Sequence, residues 1–125
     1  MTVYKKVRLM KDGTLRPLFI GKDKPFVIGK WMHCEFLPIK GFAERSVRTD
    51  DNSKIDGWHC CYKPLAPHLA DVLSNGEQRV WIECEAKGRN TRYNRPESQG
   101  GAWLLVEEIK PLRIISESEV ARLLA

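Results

Sequence analysis

The chain has 125 residues, of which 42% are apolar and 30% charged, and its formal charge at pH 7 is +5. These values are typical of one soluble domain, 1–125, and they exclude collagen-like, coiled-coil and disordered chains. The apolar runs are a few residues long, whereas a membrane-spanning helix needs about 20. The opening sequence has no apolar leader and the four cysteines form no C-x-x-C pair, so we expect a cytoplasmic protein with no membrane association.

The first half of the chain is predicted to form short strands joined by turns. Residues 3–9 mix apolar and basic positions with a period of two, which favours a strand. Asp12-Gly13 follows and is a strong hairpin signal. Further short strands are predicted at 15–20, 30–36, 42–47 and 58–62. The polar stretch 48–57 predicts a long surface loop.

The second half begins with a predicted helix at 68–74, which Asn75-Gly76 would end. The strongest strand pattern follows at 79–86. Its apolar side chains Val80, Ile82, Cys84 and Ala86 alternate with polar ones and with Trp81. Alternation therefore makes Trp81 a candidate exposed aromatic, with packing under a helix as the alternative.

The C-terminal part combines a polar stretch, a strand region and a helix. Residues 87–101 are predicted to be a second long surface loop, and 102–115 form one or two strands around Pro111. Ser116-Glu117-Ser118-Glu119 matches a capping box and starts the last helix. The predicted fold is an α+β domain with a mostly antiparallel sheet of six to eight short strands and two short helices. A curled, half-barrel-like sheet is one form of it.

Positive charge is concentrated in two segments. Residues 1–30 hold eight basic and two acidic side chains, and residues 86–95 hold four basic side chains and no acid. If the two segments meet in space, they form a face that attracts anions. The alternative is a set of scattered lysines and arginines that only keep the domain soluble.

The first candidate binding segment contains Trp58, His59, Tyr62 and Lys63, together with His68. Trp58 could stack on a planar ligand, and His59 could donate to a phosphate or ribose oxygen. The alternative places Trp58 in the core and leaves His59 bonded to a nearby backbone carbonyl.

The second candidate segment is 89–101, with Arg89, Arg92, Tyr93, Arg95 and Gln99. Arginine forks suit phosphates, Tyr93 can stack on a base, and Gly100-Gly101 would let backbone approach a ligand closely. The alternative is a soluble hairpin tip. No residue is assigned as catalytic or as a metal ligand, and no cofactor is implied.

The chain resembles a group of short phage and prophage proteins without an established activity. The motifs that carry the resemblance are Gly57-Trp58-His59, Lys63-Pro64, Ala66-Pro67-His68-Leu69, Val80-Trp81, and Arg95-Pro96-Glu97-Ser98-Gln99-Gly100-Gly101 with Trp103. The resemblance implies a phage or mobile-element setting, and so the cytoplasm of a host cell. The Gly-x-His element is also similar to domains with an ADP-ribosyltransferase-like fold.

Three interpretations of function follow from these features. The favoured one is a non-enzymatic binding protein that holds a nucleotide, a nucleic acid or an acidic host-protein surface, in a phage setting as a counter-defence inhibitor. The second is an NAD-using enzyme, with His59 and Tyr62 positioning the ligand and Glu97 or Glu107 stabilising positive charge. The third is a structural or interaction domain, with a homodimer left open.

Overall fold

The computed structural model describes residues 1–18, 24–34 and 57–125. In these residues one sheet of six strands is followed by a C-terminal α-helix, and a short 3-10 helix lies between the last two strands. The strands are β1 Thr2–Leu9, β2 Leu15–Arg16, β3 Met32–His33, β4 Trp58–Cys61, β5 Gln78–Asn94 and β6 Ala102–Ile115; the 3-10 helix is Glu97–Gln99 and α1 is Glu117–Leu124. All the pairings among these strands are antiparallel, which confirms the predicted mostly antiparallel sheet. The described residues hold one α-helix, α1, where two short helices were predicted.

The strand pairings form a closed circuit. β5 pairs with β1 on one side and with β6 on the other. β6 also pairs with β4, and β4 returns to β1 where Tyr4 lies opposite Cys61. The sheet therefore curls back on itself, and short β2 and β3 extend it beside β1 and β6.

Two apolar clusters lie on opposite faces of the sheet. The first contains Ile82, Cys84 and Ala86, all buried, with Val80 packed against it, so the predicted inward face of this strand is confirmed. The second contains Trp81, which is only 7% exposed. Trp81 as an exposed aromatic is therefore wrong.

Helix α1 explains why Trp81 is buried. Its side chains Val120 and Leu123 pack against the second cluster, so the helix covers the face of β5 on which Trp81 lies. The hydroxyl of Ser116 accepts a hydrogen bond from the Glu119 N–H at 3.2 Å, as the capping box predicts. Packing under a helix, the alternative for Trp81, is the arrangement found.

The predicted loop at 87–101 is largely wrong, because residues 87–94 continue β5. They pair with β6 from Lys87 opposite Glu108 to Asn94 opposite Ala102. The sequence gives no strand pattern for residues 87–94 because all of their side chains except Tyr93 remain wholly or partly exposed. The partner strand supplies the apolar face instead, through Leu104, Leu105 and Val106. Only 95–101 remains as the connection.

The predicted helix at 68–74 is also wrong, and turns connect β4 to β5 there. Pro64 and Pro67 remove two backbone donors just before it. The Leu69 carbonyl, which a helix would pair with the Leu73 N–H, accepts from the Lys6 ammonium at 2.8 Å. The Leu73 N–H bonds to the Glu77 carbonyl instead. The strand predicted at 42–47 lies outside the described residues, and so does the loop at 48–57 except for Gly57.

We call residues 62–71 the strap, because they cross the second cluster between β4 and β5. Ala66 and Leu69 of the strap are buried in that cluster. The buried Lys6 ammonium holds the end of the strap by hydrogen bonds to the Leu69 carbonyl and the Asp71 carboxylate. It also lies 5.5 Å from the centre of the Trp81 ring.

Removing the Asp71 carboxylate is expected to destabilise the fold only when the Lys6 ammonium is present. Asp71→Ala should lower the free energy of unfolding by about 1–2 kcal/mol, because it takes a counter-charge from a buried ammonium; the exposure of Asp71 limits the loss. In a Lys6→Met background the same change should cost less than about 0.5 kcal/mol. Urea unfolding of the four proteins measures the difference, and equal losses in both backgrounds would contradict the ion pair.

Candidate anion-binding end of the β5–β6 hairpin

The connection between β5 and β6 is a loop whose backbone groups form hydrogen bonds with one another. The Arg95 N–H donates to the Gly101 carbonyl at 3.0 Å, and the N–H groups of Gln99, Gly100 and Gly101 all donate to Pro96 or Glu97 carbonyls. These three N–H groups are therefore used within the loop.

Gly100 serves a different purpose from the one predicted. Its φ is +98°, and a Cβ at this position would lie 2.3 Å from the Leu65 carbonyl oxygen. The close approach that the missing side chain permits is to the strap, and a ligand is not needed to explain it. Gly100 therefore fixes the loop against the strap.

Arg95 is the basic side chain of this loop. Its guanidinium carbon lies 4.4 Å from the centre of the Trp103 ring and 5.9 Å from that of Tyr93. Trp103 is held in turn, because its indole N–H donates to the Gln99 carbonyl at 2.8 Å. A guanidinium lying on an aromatic ring keeps its N–H groups available at its edge.

A chain of neighbouring side chains runs inward from Arg95. The Arg95 guanidinium carbon lies 5.9 Å from the centre of the Tyr93 ring, and the Tyr93 hydroxyl lies 2.9 Å from Nδ1 of His59. The other ring nitrogen of His59, Nε2, is buried and has no hydrogen-bond partner among the residues that the structure describes. Such an atom is rare in folded proteins and costs about 1–3 kcal/mol.

Burial keeps the inner members of this chain uncharged. Desolvation, together with the positive charges of Lys5 and Arg95, lowers the pKa of His59 to about 3. Burial also raises the pKa of the Tyr93 hydroxyl, against the lowering effect of Arg95. At neutral pH, Arg95 therefore carries the positive charge in this chain of groups.

Trp58 does not share the face on which His59 lies, because adjacent residues of a strand point to opposite sides. It is buried in the first cluster, 5.3 Å from Phe26, and its indole N–H donates to the Met32 carbonyl at 3.1 Å. The predicted stacking role of Trp58 is therefore wrong. Its core alternative is confirmed.

The other residues predicted for the site lie on the strap and on β5. Arg92 lies over the Tyr62 ring at 6.0 Å, and Lys63 is exposed beside Tyr62. The Arg89 N–H donates to the Glu107 carboxylate at 3.0 Å, where Gly88 and Arg89 bulge out of β5. Arg89 is thus tied to a carboxylate some distance along the strand. We call Lys63, Arg92 and Arg95, with loop 95–101, the basic end.

Sequence reasoning assigned no role to Trp103 in the site, although it is the platform for Arg95. Tyr93 lies opposite Trp103 in the register, so the two rings share a face. That register could be seen only if β5 were extended to Asn94. His68, which belongs to the first candidate segment, lies 5.7 Å from the Trp103 ring centre.

A scan of protein-family models and searches of curated proteins and of solved structures found no match for the chain. Within the residues that the structure describes, no helix has the length and apolar character needed to cross a membrane. The site is therefore interpreted from its own geometry.

Proposed function

We propose that this protein is a non-enzymatic binding protein that holds an anionic partner at the basic end, with Arg95 as its main contact. The partner is a nucleotide, a nucleic acid or an acidic host-protein surface. The observation that carries the proposal is the position of Arg95, whose guanidinium carbon lies 4.4 Å from the centre of the Trp103 ring and 5.9 Å from that of Tyr93. In a phage setting such a protein would sequester a signalling nucleotide or block a host factor.

The position of Arg95 favours recognition of an oxyanion. Its guanidinium can donate two parallel hydrogen bonds to a phosphate or carboxylate, and the rings beneath it exclude water from one side. Because Tyr93 and Trp103 already restrict the side chain, little conformational entropy remains to be lost when a ligand binds.

The charges around Arg95 support the same conclusion. Lys63 is exposed and follows Tyr62, over whose ring Arg92 lies at 6.0 Å. The one acid of loop 95–101 is Glu97, which is exposed. An excess of positive charge at one end raises the rate at which anions arrive there.

We expect Arg95→Glu to weaken binding of a fluorescent nucleotide or a labelled single-stranded DNA by about tenfold or more, since a charge-assisted hydrogen bond contributes roughly 1.5–3 kcal/mol. Arg92→Glu should have a smaller effect alone and add to the loss in the double variant. Fluorescence anisotropy at fixed ionic strength measures each affinity.

Arg122→Glu is the matched control, because it makes the same change in charge on the exposed face of α1. It should alter affinity by less than about twofold, and thermal unfolding should show all the variants folded. If the double variant binds as well as the wild type, the partner does not use the basic end. If the wild type binds neither probe, an acidic protein surface becomes the partner to test.

A further inference from the structure

The second half of β5 has a neighbouring strand on one side of its backbone. On the side of β1, the pairing of β5 ends where the Ala86 N–H donates to the Met1 carbonyl at 2.8 Å. Beyond that point β5 continues to Asn94, paired with β6 on its other side. Within 1–18, 24–34 and 57–125, no strand pairs with the β1 side of residues 90–94. We call residues 90–94 the open edge.

The hydrogen bonds of the hairpin determine which backbone groups face outward from the open edge. In an antiparallel strand, the N–H and C=O groups of one residue point to the same side, and the side alternates from one residue to the next. The Arg95 N–H donates to the Gly101 carbonyl at 3.0 Å, so Arg95 and every second residue before it point toward β6. The residues whose backbone groups point away from β6 are therefore Asn90, Arg92 and Asn94.

The open edge is regular and accessible. The irregular part of the strand lies earlier, at the Gly88–Arg89 bulge, and the register from Asn90 to Asn94 runs without a shift. All three outward-pointing residues are exposed. Such an edge offers both N–H and C=O groups and is a template for another strand. A phosphate can accept only from the N–H groups, whereas an extended peptide satisfies both kinds of group, so the edge fits a peptide better than a nucleic acid.

Charge selects the kind of peptide that the open edge can pair with. Residues 86–96 contain four basic side chains and no acid. The residues of β6 opposite the open edge, 102–106, are all uncharged, and Arg92 lies opposite Leu104. A second copy of this chain would bring like charges together across the new pair, which is unfavourable. Arginines that prevent self-pairing in this way favour an acidic strand.

We infer that the open edge binds an extended acidic segment of another protein, which joins the sheet as an additional antiparallel strand. The inference rests on the proposed function and names its partner as a peptide chain. The acidic residue directly opposite Arg92 would exchange two backbone hydrogen bonds with it, and its carboxylate would lie on the same face as the guanidinium. Arg95, one residue beyond the edge, extends the positive charge toward loop 95–101.

The first test is amide hydrogen exchange in the wild-type protein, followed residue by residue by NMR. The amide protons of Asn90, Arg92 and Asn94 should exchange at least about tenfold faster than those of Thr91 and Tyr93, which point toward β6. Equal exchange in the two sets would show that no ordered, uncovered edge exists here, and it would overturn the inference. This measurement needs no ligand and no variant.

The second test is the binding of a peptide of about seven residues that alternates glutamate with valine and has blocked ends. It should shift the amide NMR signals of Asn90, Arg92 and Asn94 more than those of Thr91 and Tyr93. N-methylation of the glutamates removes the N–H groups that would face the open edge, and it should weaken binding by about tenfold or more. N-methylation of the valines, whose N–H groups face away, should change the affinity by less than about threefold.

The charge requirement is tested on both partners. Arg92→Glu should weaken binding of the unmodified peptide by about fivefold or more, whereas the matched variant Arg122→Glu on α1 should change it by less than about twofold. A peptide with lysine in place of glutamate should not bind. Unchanged affinity in Arg92→Glu would overturn the choice of an acidic partner.

The outcomes separate this inference from the proposed function. If both N-methylated peptides bind as well as the unmodified one, charge alone holds the peptide, so strand addition is wrong and the proposed function stands. If the peptide does not bind while Arg95→Glu weakens a nucleotide, the inference is again wrong and the proposed function stands. If the peptide shifts the signals of the open edge and Arg95→Glu weakens no anionic probe, the inference stands and Arg95 is not the main contact.

Discussion

Gly100→Ala is expected to lower the free energy of unfolding by about 3 kcal/mol and to abolish binding at the basic end. The φ of +98° is costly for any residue with a Cβ. The new methyl carbon would also lie 2.3 Å from the Leu65 carbonyl oxygen, and backbone cannot yield as a side-chain tip can. Relieving that contact moves either the strap or the loop that carries Arg95.

Gly101→Ala is the control for this change. Its φ is +79°, and a Cβ there would meet no atom within 4 Å. It should therefore cost only the backbone preference, about 1–2 kcal/mol. Chemical unfolding gives both losses, and anisotropy gives both affinities. Equal destabilisation of the two variants would show that the contact between loop and strap contributes nothing, and a Gly100→Ala variant with normal affinity would separate the loop from the site.

The sequence predicted those elements in which one local signal and the tertiary packing agree. Residues 80–86 alternate, and the side chains predicted to face one way do enter the first cluster. Asp12-Gly13 lies in the hairpin between β1 and β2, where Gly13 has a φ of +86°. Ser116 caps α1. In each case the residues that determine the element are close together in the sequence.

Prediction failed where the cause lies in a distant part of the chain. Residues 87–94 form a strand because β6 supplies the apolar side of the pair, and their own composition is that of a loop. The segment at 68–74 lacks its helix in part because Lys6, more than sixty residues earlier, takes the Leu69 carbonyl. Single-sequence patterns do not contain such contacts.

The sequence predicted the residue types of the candidate site, but it did not show which of these residues lie together. Sequence reasoning treated Trp58 and His59 as one wall, whereas strand alternation places them on opposite faces. It treated 89–101 as one loop, whereas the strand holds Arg89 at the Glu107 bulge and leaves Arg95 on Trp103. The partner of His59 could not be foreseen, because Tyr93 becomes its neighbour only through the register of β4, β6 and β5.

Acidification from pH 6.5 to pH 4 should destabilise the wild-type protein by about 3 kcal/mol more than the His59→Gln variant. The folded-state pKa of His59 is about 3, whereas the pKa of an unperturbed histidine is about 6.5. Between these values the unfolded chain binds a proton that the native protein excludes, so stability falls as the pH falls. The loss is about 1.4 kcal/mol per pH unit in this window, and it ends where the folded protein also takes up the proton.

The comparison with His59→Gln isolates this contribution from those of the carboxylates. Hydrogen bonds lower the pKa values of Asp12, Glu107 and Glu119, so these groups also destabilise the native state in acid, but they do so equally in both proteins. Urea unfolding at several pH values between 4 and 7 gives the two slopes. Parallel slopes would mean that His59 titrates normally in the folded protein. Water would then reach its ring, and Nε2 would have a hydrogen-bond partner in solution.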